Sequence, residues 1–222
     1  MADLKETITR ASIVYEEQTL FRAAINAIPY VGGTIDVLFS SIGQKFSAKR
    51  IEFFIDELKN EISHLQETTI NKDYLEKEEG FDLILKAFNA SARTRQKEKL
   101  ILYARIIKNS LTNGREFEED EPETFLKIVE ELSVKELRVA MCLYKLKIKK
   151  DSNNKDKTSS DIDLLSKDYP EFDKDELVSI LVRIEKSGLI KEVVSVIVGY
   201  AGGNYTITQL FKKFVVFIET FE

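Results

Sequence analysis

A mainly α-helical chain in two parts is predicted by three observations: a helical bundle, then a smaller domain of three helices, a β-hairpin and a terminal helix. Apolar residues recur at helical spacing in four successive stretches between Leu4 and Leu111. A strongly acidic stretch then interrupts them, six of the nine residues from Arg115 to Glu123 being Asp or Glu, a composition that solvates rather than packs. Beyond it, two capping boxes precede a Val/Ile-rich run and a Gly-Gly turn.

In the first part, the spacing predicts a helix from Leu4 to Ile28, broken by Pro29 and Gly32-Gly33 because proline removes a donor and glycine admits positive φ. A helical hairpin follows, its second arm running from about Thr34 to Leu65 with Ile51, Phe54, Leu58 and Ile62 on one stripe. Further helices are predicted over Tyr74 to Ala92 and Gln96 to Leu111, ending at Asn113-Gly114. Pro122 suits the first turn of a short helix through Glu131.

In the second part, Ser133 and Glu136 are spaced to satisfy each other's orphan amides and open a helix through Leu146, before a polar loop from Lys149 to Thr158. A short helix over Ser160 to Lys167 comes next. Asp173 and Glu176 open a longer one, which Gly188 ends. Leu189 to Tyr200, the turn Ala201 to Asn204 and Tyr205 to Thr208 read as a hairpin, and Gln209 to Phe221 as the terminal helix.

That order, with IEKSGLI (184–190) before the first strand and YTITQLFKKF (205–214) after the turn, resembles the winged-helix superfamily of helix-turn-helix domains over about Leu132 to Phe221. The NAIPYVGG segment (26–33), followed by a long amphipathic helix, resembles an element of uncharacterised bacterial proteins, some linked to phage conflict. The expected fold class is therefore mainly α, with an N-terminal helical bundle over 1–114, an acidic linker and short helix over 115–131, and a winged-helix-like domain over 132–222.

The winged-helix resemblance implies that the third helix of this domain enters a DNA groove. Its leading residues Asp173, Lys174, Asp175 and Glu176 carry three carboxylates in four and oppose a polyanion. The Ala201 to Asn204 turn has no basic residue, and Glu131 to Glu222 holds 15 basic and 15 acidic side chains. Protein contact is expected of this module rather than base-specific reading.

Four groups of residues are candidate contacts. Phe21, Ile25, Ile28, Pro29, Tyr30, Val31, Leu38 and Phe39, within the apolar hairpin Leu20 to Ile42, suit insertion into one membrane leaflet, with Lys45, Lys49 and Arg50 at the level of the head groups. Arg93, Arg95, Lys97, Arg105 and Lys108 form a dense basic group that suits phosphate or an acidic partner, the acidic 115–123 segment being the favoured one. Lys145, Lys147 and Arg183 are the cations a DNA-binding regulator would use. Leu210, Phe214, Phe217 and Phe221 share one face of the terminal helix, expected as core or as an oligomer seam.

Enzymatic readings fare worse. A Ser/His/Asp or Cys/His arrangement needs an imidazole base, and the single histidine, His64, has the setting of a surface residue on a charged helix. Walker and Rossmann spacings are absent, and Asp56-Glu57-Leu58-Lys59 falls on a predicted helix rather than at a strand end. With one cysteine and one histidine, no His/Cys metal site and no internal disulfide are expected, and no cofactor or small-molecule substrate is inferred.

Charged residues from Asp3 to Glu17 argue against a secretory leader, so a cytoplasmic protein, membrane-associated on activation, is the expectation. The leading functional expectation is a non-catalytic interaction or regulatory protein acting through a protein partner or self-association. A membrane-active effector using residues 20–42 and a DNA-binding transcriptional regulator are the alternatives.

Overall fold

In the computed structural model the described residues are 42–63, 65, 71, 74, 77–112, 120–152, 160–193 and 202–219. Among them the chain is mainly helical, with eight helices and one two-stranded antiparallel sheet. Two compact units are present, Met1–Lys127 with Phe217–Glu222, and Ile128–Val216. The divisions between them fall at Lys127/Ile128 and Val216/Phe217.

In the first unit, helix α1 (Ile42–Ser63) buries Phe54, Leu58 and Ile62, spaced at i, i+4 and i+8 so that they share one face. That face packs on α2 (Glu78–Arg93) and α3 (Lys97–Ser110). The Phe54 ring meets Phe88 of α2 edge-on at 5.2 Å, the arrangement that the ring quadrupole favours. Ala87, Ala90 and Ala92 are buried on α2, and Leu100, Tyr103, Ala104 and Ile107 on α3.

Helix α4 (Glu121–Glu131) begins in this unit, where Phe125 is buried and tilted against Phe217 at 4.8 Å. Asn109 donates to the Phe217 carbonyl at 2.7 Å and Arg105 to the Ile218 carbonyl at 3.1 Å. These carbonyls lie at a helix C-terminus with no intrahelical donor, and the α3 side chains supply one to each.

In the second unit, α5 spans Val134–Ser152. Its start carries the expected reciprocal cap: the Ser133 amide donates to Glu136 Oε2 at 2.7 Å and the Glu136 amide to Ser133 Oγ at 3.2 Å. The helix continues through Lys149–Ser152, which sequence placed in a loop. Nothing in Leu146 to Lys150 breaks a helix, and Lys147 is anchored by an ion pair to Asp161.

Helix α6 (Asp161–Asp168) is capped by Ser160 Oγ, which accepts from the Asp163 amide. Helix α7 (Lys174–Lys186) is capped by Asp173, which accepts from the Glu176 amide at 2.7 Å. Leu177, Ile180, Leu181 and Ile184 form the fully buried stripe of α7, and Gly188 follows its end at φ +81°.

Strands β1 (Ile190–Glu192) and β2 (Tyr205–Ile207) pair with Ile190 opposite Ile207 and Glu192 opposite Tyr205. Of the expected hairpin, whose first strand was read to Tyr200, residues 194–201 lie outside the described residues. The start of the second strand docks on α6. The Gly203 carbonyl accepts from the amides of Asp161 and Ile162, and the Tyr205 amide donates to Asp161 Oδ2 at 2.7 Å. Gly203 takes φ +81°, and a Cβ there would meet Ile162 Cδ1 at 2.9 Å, so close approach and backbone conformation both require glycine. Helix α8 (Gln209–Ile218) then starts at Thr208, whose hydroxyl accepts from the Phe211 amide, and Phe211 packs on Tyr144 at 5.0 Å.

Candidate functional site

The structure sorts the eight candidate basic residues into those engaged internally and those left at the surface. Arg105 Nε donates to Glu61 of α1 at 2.9 Å, and Lys108 lies 3.9 Å from the other oxygen of the same carboxylate. Lys147 pairs with the fully buried Asp161 at 2.5 Å, and Arg183 donates to Glu136. Arg105, Lys108 and Lys147 are thereby engaged within the chain, while Arg183 stays half-exposed beside its partner. Packing of α1 on α3 brings Glu61 against Arg105 and Lys108, and of the acidic segment expected as their partner Glu123 pairs with Lys86. Residues 113–119 lie outside the described residues.

Arg93, Arg95, Lys97 and Lys145 remain exposed. The first three alternate along the turn from α2 into α3. Arg50 of α1 reaches this turn, donating to the carbonyls of Ala92 at 3.0 Å and Arg93 at 3.4 Å, and Lys97 Nζ lies 5.0 Å from the centroid of the Phe53 ring.

The solvent face of α7 has a different character. Val178 is 39% and Val182 41% exposed, one turn apart, flanked by exposed Asp175 and Ser179. Of the neighbouring charges, Lys174 donates to Asp163 at 2.8 Å, Glu176 pairs with Lys135 and Arg183 with Glu136, while Lys186, one turn after Val182, is exposed. Burial pushes the Glu136 carboxyl up, but Arg183 and the amide and hydroxyl of Ser133 outweigh it and hold the group below its ordinary value. For Asp163, bonds from Lys174 and Ser160 act in the same direction.

Sequence reasoning missed an aromatic corner between α6 and α7. Tyr169 and Phe172 stack with centroids 5.6 Å apart and planes 3° from parallel, and Lys135 Nζ sits 3.9 Å from the Phe172 centroid. Burial raises the Tyr169 hydroxyl pKa, with Cys142 and Asp168 adding to the shift and Arg138 opposing it. The stacking depends on the turn conformation of Asp168 to Phe172, which periodicity does not carry.

Phe214 and Phe217, expected as core or as an oligomer seam, are buried within the chain. Leu210 is half-buried, and Phe221 lies outside the described residues. So do Phe21, Ile25, Ile28, Pro29, Tyr30, Val31, Leu38 and Phe39 of the apolar hairpin, together with His64. Among the described residues no helix is long and apolar enough to cross a membrane, and no three His, Cys, Asp or Glu side chains converge as a metal ion needs. No protein-family model, curated protein or solved structure matches the chain.

Proposed function

We propose that this is a non-catalytic interaction or regulatory protein whose second unit works as a winged-helix module that contacts protein rather than DNA bases. The order of three helices, a strand, a strand and a helix supports the winged-helix reading. The observation that carries the function is the solvent face of α7, the helix that would enter a groove. Its leading and middle turns offer Asp175, Val178, Ser179 and Val182, with Lys186 only at its end, where base reading calls for donors and cations at the leading turn. Arg183, the cation best placed to help, is turned to Glu136, and Lys147 is committed to Asp161. Two valines one turn apart with a carboxylate beside them suit a complementary apolar protein surface with a polar rim.

The test pairs two experiments on the full chain. Duplexes selected from a random pool should show no enriched sequence. In extracts of the source cells, a partner captured by the wild type should be lost with the Val178→Asp/Val182→Asp variant, whose fold is checked by circular dichroism. An enriched duplex whose binding weakens in Arg183→Gln would overturn the reading in favour of a DNA-binding regulator.

A further inference from the structure

Five cations that sequence assigned to two separate roles, Lys49 and Arg50 on α1 and Arg93, Arg95 and Lys97 around the α2–α3 turn, are brought by the fold to one end of the first unit. Arg50 ties the two elements together through the carbonyls of Ala92 and Arg93. Lys49, Arg93 and Arg95 are exposed, and no carboxylate pairs with them among the described residues. Glu52 and Glu98 are the acids nearest in sequence, so the patch keeps a clear positive excess.

We propose that this patch docks the protein on an anionic membrane surface, with Phe46 as its apolar anchor. Phe46 is 57% exposed, the most exposed large apolar side chain among the described residues. It stands three and four residues before Lys49 and Arg50, so ring and cations share one side of α1. An exposed aromatic beside lysine and arginine suits the boundary between head groups and acyl chains. The chain leading into α1 is apolar in sequence, from Phe21 through Ile25, Ile28, Val31, Ile35 and Leu38 to Phe39, which favours a lipid surface over a nucleic acid. A single strand would need successive rings for its bases, and here Phe53 is already covered by Lys97. The chain's net charge of −5 does not prevent docking, because charges beyond about 8 Å are screened at physiological ionic strength.

Each basic side chain near an anionic surface strengthens partitioning roughly five-fold, so reversing two charges should weaken it by on the order of a hundred-fold or more. The experiment is co-sedimentation of the full chain with phosphatidylcholine vesicles, with and without phosphatidylserine, across a salt series. Salt-sensitive binding to the phosphatidylserine vesicles alone is expected. It should be lost in Arg93→Glu/Arg95→Glu, whose side chains make no contact the fold relies on, weakened in Phe46→Ser, and kept in Lys145→Glu and Val182→Asp. That last variant separates this proposal from the α7 reading. Absence of binding by the wild type, undiminished binding by the Arg93/Arg95 double variant, or retention of single-stranded oligonucleotide by the same residues in place of vesicles would each overturn it.

Discussion

Lys147 and Asp161 form an ion pair, 2.5 Å from ammonium to carboxylate, in which the acid is wholly buried and the base is 20% exposed. The same carboxylate accepts from the Tyr205 amide, so one side chain joins α5, α6 and β2. Removing one partner of such a pair leaves the other's desolvation uncompensated. Asp161→Ala should therefore destabilise the second unit by about 3–5 kcal/mol. Asp161→Asn, which keeps an acceptor for Tyr205, should cost less. Urea denaturation of the two variants checks the order, and equal losses would mean that the bond to the Tyr205 amide contributes nothing beyond the charge.

Glu136 gives the second unit an acid-sensitive cap. Its folded pKa lies below the ordinary 4.5, so the associated stability is fully present above that value and is lost as pH falls through the lower folded value. Glu136→Gln should cost about 1–2 kcal/mol at neutral pH, a modest figure because half-exposed Arg183 is screened by solvent. The gap between wild type and variant should narrow as the pH falls from neutral into acid below 4.5. Denaturant midpoints at both pH values measure it, and a gap that widens in acid contradicts the assignment.

Asn109 is fully buried in the first unit and its amide nitrogen serves the Phe217 carbonyl. Its Oδ1 is buried without a hydrogen-bond partner among the described residues. Asn109→Ala should cost about 1–3 kcal/mol through the stranded carbonyl, and increased amide exchange at the end of α8 should accompany the loss. Unchanged exchange there would show that the carbonyl finds another donor.

At Gly203, alanine meets both a positive φ and Ile162 Cδ1 at 2.9 Å. Gly203→Ala should destabilise by about 1–3 kcal/mol. The amides of Asp161 and Ile162, which bond the Gly203 carbonyl, should lose protection in exchange experiments while those of α7 keep theirs. Gly203→Ala/Ile162→Val, with a smaller facing side chain, should recover part of the loss.

Features set by short-range spacing were legible in the sequence. Ser133 with Glu136 and Asp173 with Glu176 act over three residues, and Gly188 ends its own helix. The buried stripes of α1 and α7 likewise follow from their periodicity. Ion-pair partners were not legible, because Arg105 and Glu61 are 44 residues apart and Arg183 and Glu136 are 47 apart, brought together only by helix packing. The strand register was hidden for a related reason. Leu189 to Tyr200 reads as strand in isolation, and the dock of Tyr205 on Asp161 joins residues 44 apart in sequence. The basic patch was visible only as two fragments until Arg50 was placed against the α2–α3 turn.

The bond from Asn109 to Phe217 joins residues 108 positions apart within the first unit. On the ribosome, helices α1 to α3 emerge long before the aromatic ring that seals Phe125 has been translated. At about 5–20 residues per second they wait on the order of 5–20 seconds, during which Phe125 and the Asn109 amide stay without that cover. All of residues 128–216 are synthesised within that interval. A chaperone that recognises exposed aromatics would find its window here, between the synthesis of Phe125 and that of Phe217.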